Sequence, residues 1–353
     1  MNRTAISIAL AALFLGGCAT FSADGGFSSV ESAAKERLGK DVRRVKSETD
    51  ADRVRSDVKR LLADPLSADV AVQVALLNNR GLQATYAELG IAEADLVQAG
   101  RMTNPHFAYL RARDGNERKL EWALTFPIID LLTIPLRTRF EGRRFEEVKL
   151  AVAGAAVGVG LETRRAWIEA VAAEQAVRYL EQVKETAEAT AELARRMAGV
   201  GNIPKITLTR EQVFYAEATA QLARARQAAL AERERLSRLM GLFGDELAFK
   251  LPERLPDLPA AVPEAAELEA TAMRQRFDVQ AAKRSIEALA ESLGLARATR
   301  FVNALELGPA ATKETPEPWK RGFEFSLQIP IFDWGDAREQ VASVNAAIEA
   351  QRD

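Results

Sequence analysis

The feature that most constrains this chain is a stretch of period-two alternation that occurs twice, 203 residues apart. Leu120, Trp122, Leu124 and Phe126 alternate with Lys119, Glu121, Ala123 and Thr125. Phe323, Phe325, Leu327, Ile329 and Ile331 alternate with Glu324, Ser326, Gln328 and Pro330. Such a pattern is a β-strand with one apolar and one polar face. Asp114-Gly115-Asn116 supplies a turn between the first of these strands and a looser one over 106–113, where Phe107 and Tyr109 share a side. A β-hairpin is therefore predicted there, with its counterpart over 302–308 and 322–331. Phe126-Pro127-Ile128 and Ile329-Pro330-Ile331 mark the offset. A repeat this long means two copies of one supersecondary unit.

Between the hairpins the period changes to that of a helix. Leu82, Tyr86, Leu89, Glu93 and Leu96 step by four and three, a seam that follows the cap residue Ser67 and ends near Arg101, before Asn104-Pro105. The helix pattern resumes from about Leu136 to Ala198. At about 1.5 Å per residue, that stretch makes a rod of roughly 90 Å. Gly154, Gly158 and Gly160 argue locally against it. Gly199-Val200-Gly201-Asn202-Ile203-Pro204 is an abrupt turn, with Gly199 expected to make it. On the return helix Ala218, Leu222, Ala225, Ala229, Glu232, Leu236, Leu239 and Phe243 form a strict heptad seam, which implies a coiled-coil neighbour. A proline-rich connector follows (Pro252, Pro256, Pro259, Pro263), and Arg276-Phe277-Asp278-Val279-Gln280 opens a helix as Arg80-Gly81-Leu82-Gln83 did.

The N-terminus adds an address. Arg3 precedes an apolar run from Ile6 to Leu15, long enough for a signal peptide and too short to span a bilayer. Leu15-Gly16-Gly17-Cys18 resembles the lipobox of bacterial lipoproteins, which makes Cys18, the sole cysteine, the expected site of acylation. Ala19 in place of an aspartate points to the outer membrane.

The domain reading is a lipoprotein signal over 1–17, a lipid-anchored tether over 18–64, a first repeat over 65–265 and an incomplete second repeat over 266–353. The copies are unequal: 114 residues run from Pro127 to Gly241, and 23 follow Pro330.

At this point the run Ile329-Pro330-Ile331-Phe332-Asp333-Trp334-Gly335, the first junction from Phe126 to Arg137, the tip from Gly199 to Leu208 and the duplication resemble the TolC-type outer-membrane efflux proteins. The resemblance covers about residues 65–353 and makes this chain look like a lipidated, C-terminally truncated relative. It implies a mostly α fold with short β-hairpins. Long coiled-coil helices and four transmembrane β-strands per protomer would contribute to a homotrimeric β-barrel and α-barrel duct.

In that picture Leu120, Trp122, Leu124, Phe126, Phe323, Phe325 and Leu327 face lipid, while Lys119, Glu121, Thr125, Glu324, Ser326 and Gln328 face the lumen. Pro127, Pro330, Phe332, Asp333, Trp334 and Gly335 mark the strand-to-helix junctions. Gly199, Val200, Gly201, Asn202 and Ile203 form the tip where a periplasmic adaptor docks, with an inner-membrane pump beyond it.

Chemistry points the same way. Basic and acidic side chains number 48 and 50, which gives no reason to expect a nucleic-acid partner. His106, the sole histidine, reads as a rim residue at a strand start. With no second cysteine or phosphate loop, no enzyme, metal site or cofactor is expected. A passive export duct of a tripartite efflux or type I secretion system is the function implied. A periplasmic coiled-coil scaffold or adaptor, and a truncated relic that does not assemble, are the alternatives.

Overall fold

In the computed structural model, the residues described are 20–258, 267–299, 304–328 and the short helical pieces 341–342, 344–346 and 349. The elements run α1 (Ser28–Leu38), α2 (Glu48–Leu61), α3 (Ala68–Asn78), α4 (Arg80–Ala99), β1 (His106–Asp114), β2 (Glu117–Pro127), α5 (Ile128–Gly199) and α6 (Lys205–Met240). A 3₁₀ turn (Gly244–Ala248) follows, then α7 (Leu268–Gln275), α8 (Phe277–Thr299), β3 (Ala304–Glu314) and β4 (Lys320–Gln328).

Two compact units share these elements: one comprises 28–86 and 152–268, the other the N-terminal segment to Phe27 with 87–151 and 269–353. The sequence copies therefore do not fold as separate blocks. The reason is visible in the sheet, whose order is β1-β2-β3-β4, so that a strand of the first copy pairs with a strand of the second.

In the first unit a core gathers around Leu66, Val74, Trp167, Val171, Leu236 and Met240. Ser67 caps α3 by accepting from the Val70 N–H at 3.2 Å, as its position predicts. The helix predicted to follow it is two helices. Asn79 breaks the run: its Oδ1 accepts from the Leu82 N–H at 2.9 Å and its Nδ2 donates to the Leu239 carbonyl at 2.8 Å. Asn78 donates to the carbonyls of Met240 and Gly241, at 3.1 and 2.9 Å. Two adjacent asparagines thus satisfy the last carbonyls of α6, groups that a helix end leaves without partners.

The stretch expected as a tether is folded over much of its length. Val30, Val54 and Val58 on α1 and α2 are buried, and Ser47 caps α2 by accepting from the Asp50 N–H. Val54 and Val58 join the same apolar cluster as Val74 of α3 and Trp167 of α5. α5 also runs through its glycines. A Cβ on Gly160 would meet Leu38 Cδ1 at 2.5 Å, so this glycine makes room for α1 instead of interrupting the helix.

The return helix α6 buries Ala218, Leu222, Leu236 and Met240, in agreement with the heptad seam down to Leu239, where Met240 takes the last core place and Phe243 is left exposed. Arg226, Arg233 and Arg235 reach Glu181, Glu174 and Glu169 on α5 at 2.7, 3.0 and 2.5 Å. Exposed pairs of this kind contribute little stability but fix the register of antiparallel helices.

In the second unit Ala92, Glu93 and Val97 of α4 are buried. The Ser22 N–H and hydroxyl both donate to Glu93 Oε1, at 2.6 and 2.5 Å, which satisfies a carboxylate that burial would otherwise penalise. Gly26, at φ +75°, lies so close to Phe145 that a Cβ would sit 2.7 Å from its ring.

Candidate functional site

Four antiparallel strands make the sheet, and their register decides what each face carries. His106↔Thr125 through Asp114↔Glu117 pairs β1 with β2, and Ala304↔Gln328 through Thr312↔Lys320 pairs β3 with β4. The central pairing runs Lys119↔Glu314 through Ala123↔Ala310 and resumes at Phe126↔Leu307. Directly opposed residues share a face. Phe107, Tyr109, Leu120, Trp122, Leu124, Phe126, Leu305, Leu307, Phe323, Phe325 and Leu327 therefore lie together. The other face carries Lys119, Glu121, Thr125, Glu306, Glu324, Ser326 and Gln328 among alanines.

Exposure follows the strand: the edge strands β1 and β4 are exposed on both faces, with Phe107, Tyr109, Phe323 and Phe325 at 67, 60, 82 and 63%, whereas Ala123, Thr125 and Ala311 of the central strands are buried. An open hollow of about 600 Å³ lies against the sheet, bordered by Ala108, Glu121, Ala310, Thr312 and Glu324 of the polar face and by Tyr109, Trp122 and Arg321 of the apolar one. On the polar side Glu306 ties three strands: His106 Nδ1 lies 3.1 Å from its Oε1, and the Thr125 hydroxyl donates to its Oε2 at 2.7 Å. Lys119 bridges Glu121 at 2.6 Å and Glu314 at 3.6 Å.

Between the two stretches of central pairing, Gly308 and Pro309 face Leu124 and Thr125. A Cβ on Gly308 would come within 1.7 Å of the Leu124 carbonyl oxygen. The strand expected to end at 308 continues to Glu314, because a glycine followed by a proline lets two backbones close up locally without ending the sheet.

The junction at Pro127 is direct: it ends β2, and Ile128 begins α5. The helix starts about eight residues earlier than its periodicity suggests and contains Pro135. Asp130 organises this start. Its carboxylate accepts from the Thr103 hydroxyl at 2.6 Å, and its carbonyl accepts from Thr133 Oγ1 at 3.2 Å and from the Arg137 guanidinium at 3.0 Å.

At the tip, α5 ends at Gly199 and α6 begins at Lys205 behind Pro204. The turn is made by Gly201 and not by Gly199. Gly201 has φ +80°, its N–H donates to the Ala198 carbonyl at 3.1 Å, and the Asn202 N–H donates to the Met197 carbonyl at 2.9 Å. That is a Schellman closure, which places the left-handed residue one position past the helix cap. Val200 stands 73% exposed at this tip, with Gly199, Gly201 and Asn202 exposed beside it and Ile203 half-buried.

Cys18 and the second-junction residues Pro330, Phe332, Asp333, Trp334 and Gly335 lie outside the described residues. Among the described residues no group of three or more His, Cys, Asp or Glu could hold a metal ion, and no helix is long and apolar enough to cross a membrane. Sequence reasoning missed the part played by Glu306; its place in the short strand over 302–308 was the only signal available.

No family model matches the chain, and no curated protein matches it. Solved structures do. The outer-membrane channel OprN aligns at a TM-score of 0.66 and 18% identity over 83% of this chain and 72% of its own. The Campylobacter jejuni CmeC outer membrane channel aligns at 0.65 and 17%, over 80% and 66%. The outer membrane protein VceC from Vibrio cholerae aligns at 0.60 and 14%, over 85% and 74%. With its helical hairpin, its strand-to-helix junction and its four-stranded sheet, the chain has the fold of the TolC-type outer-membrane channels.

Proposed function

We propose that this chain is an outer-membrane channel subunit, three copies of which close one barrel and form a passive export duct. The observation that carries this reading is the sheet. It has one apolar face, one polar face and, among the described residues, two unpaired edges, at β1 and β4. An open edge is not tolerated in hydrocarbon, and a lone sheet of this size cannot close on itself. Three copies bring twelve strands, an even number suited to a barrel with an aqueous lumen. The apolar face then looks at lipid, and Glu121, Glu306 and Glu324 look at the lumen.

The solved channels of this fold support the reading, and the lipobox ending in Cys18 supports an acyl anchor at the periplasmic side of the outer membrane. The tip at Val200, Gly201, Asn202 and Ile203 is the surface proposed to receive a periplasmic adaptor, with an inner-membrane pump supplying the energy. The duct itself performs no chemistry.

The test is the native mass of the full chain extracted from membranes in mild detergent, followed by conductance in a planar bilayer. A trimer that conducts supports the reading. A monomer with no conductance overturns it.

A further inference from the structure

The apolar face of the sheet ends abruptly in positive charge. Arg111 lies opposite Leu120, which lies opposite Lys313, so the two cations share the outward face. One row nearer the turn, Arg113 faces Arg118 directly. Arg321 shares the row of Tyr109, Trp122 and Ala311. Among the described residues none of these five cations is in an ion pair; Arg113 donates only to the Gly115 carbonyl, at 3.1 Å.

Acidic residues at this end of the sheet are on the other face. Asp114 pairs with Glu117 there, and Glu121 and Glu314 flank Lys119 there. Like charges directly opposed across two strands are unfavourable unless something else neutralises them. The arrangement of Arg113 and Arg118 thus calls for an anion from outside the chain.

The height of the cluster identifies which anion. Among the described residues Leu305 and Leu327 form the lowest apolar row, and Lys313 is eight residues further along β3. At about 3.3 Å per residue and a tilt near 40°, that is roughly 20 Å of height, and the Arg113–Arg118 row stands near 25 Å. The hydrocarbon band of an outer-membrane barrel is about 25 Å tall, with aromatic residues at its rim. By the same measure the row of Tyr109, Trp122 and Arg321 stands at roughly 15 Å and the Arg111–Lys313 row at roughly 20 Å, inside the band. The long side chains of Arg321, Arg111 and Lys313 would reach up past the aromatic row to the level of Arg113 and Arg118, where lipid headgroups begin.

We propose that Arg111, Arg113, Arg118, Lys313 and Arg321 form an outward-facing binding site for the phosphate groups of outer-leaflet glycolipids of the lipopolysaccharide class. Each protomer of the ring would carry one such site. Guanidinium groups suit it, because they bind phosphate in a fixed, two-pronged geometry. The proposal rests on the channel reading, since it requires the hairpin turns to lie on the outer-leaflet side.

The test titrates detergent-solubilised full-length protein with lipopolysaccharide carrying its lipid A phosphates, and with the same material after enzymatic dephosphorylation. Binding is read by native mass spectrometry. The wild type is expected to prefer the phosphorylated form by at least about tenfold, because each basic residue near an anionic surface contributes to attraction. The variant Arg111→Gln/Arg113→Gln/Lys313→Gln/Arg321→Gln should lose that preference. Lys119→Gln/Lys320→Gln, on the opposite face, should keep it.

Equal binding of both forms by a wild-type trimer overturns the lipid site and leaves the channel reading standing. That arm needs no variant, so it holds even if the fourfold variant fails to fold. Retention of the preference by a folded fourfold variant overturns the site as well. A wild type that yields no trimer and does not fractionate with the outer membrane overturns both.

Discussion

The α-carbon of Gly308 sits so close to the Leu124 carbonyl that a single added methyl would lie 1.7 Å from its oxygen. This contact is where the two halves of the sequence repeat meet, since β2 and β3 are the strands that join them. Gly308→Ala should therefore push the hairpins apart locally and lower the yield of assembled protein far more than Gly322→Ala, whose site is open. The measure is the trimer-to-monomer ratio on native gels. Equal ratios for the two variants would show that the close approach is not needed.

Trp167 donates from Nε1 to the Leu66 carbonyl at 2.7 Å, and both residues belong to the apolar core. Trp167→Phe retains most of the packing and removes the donor. The orphaned carbonyl should cost about 1–3 kcal/mol, read as a lower midpoint in denaturant unfolding.

Gly241 ends α6 at φ +68°, and a Cβ there would meet the Asn78 carbonyl oxygen at 2.5 Å. Conformation and space both forbid a side chain. Gly241→Ala should destabilise by more than about 1 kcal/mol, whereas Gly158→Ala, which has open space in mid-helix, should stabilise by about 0.4–1 kcal/mol. Thermal melts of the two variants compare them directly.

Phe325 and Ser326 are neighbours in β4 on opposite faces of the sheet. If the apolar face meets lipid, Phe325→Arg should cost about 2–4 kcal/mol near mid-bilayer, while Ser326→Arg should leave assembly intact and alter conductance. Refolding titrations into lipid vesicles separate the two, and similar costs for both would reverse or abolish the facing.

Glu141 on α5 is raised above the usual carboxylate range, chiefly because burial disfavours its charged form, with Arg144 opposing and Asp95 adding to the shift. A carboxylate raised in the folded state is a liability above the ordinary carboxylate pKa, where the unfolded chain ionises more readily. Glu141→Gln should therefore raise the melting temperature at pH 7. The gain should vanish as the pH falls below about 4, where the wild-type carboxylate is protonated in both states.

Much of this architecture was legible in the residues. The Ser67 cap, the first hairpin and its turn and the heptad seam of α6 all follow from local periodicity and punctuation. The misreadings share a cause: tertiary context overrode a local signal. Gly160 looks like a helix weakness and is a packing notch for Leu38. Gly308-Pro309 looks like the end of a strand and is the point of closest backbone approach. The segment before Pro65 is too polar to advertise a core, yet Val54 and Val58 belong to one and Val30 is fully buried. The cationic rows on the outward face were invisible without register, because Arg111 and Lys313 are 202 positions apart and only pairing through Leu120 brings them to one row.

The described sheet has two different edges, β1 and β4. In the proposed ring of three, two-fold pairing of like edges would stop at a dimer, so closure joins the β1 edge of one subunit to the β4 edge of the next. A subunit crippled at β4 alone would still be accepted through β1, and the ring would stop there. Co-expressed with the intact chain, such a variant should act as an assembly poison, and the conductance of membranes from those cells should fall well below the level that half the normal dose of wild type sustains.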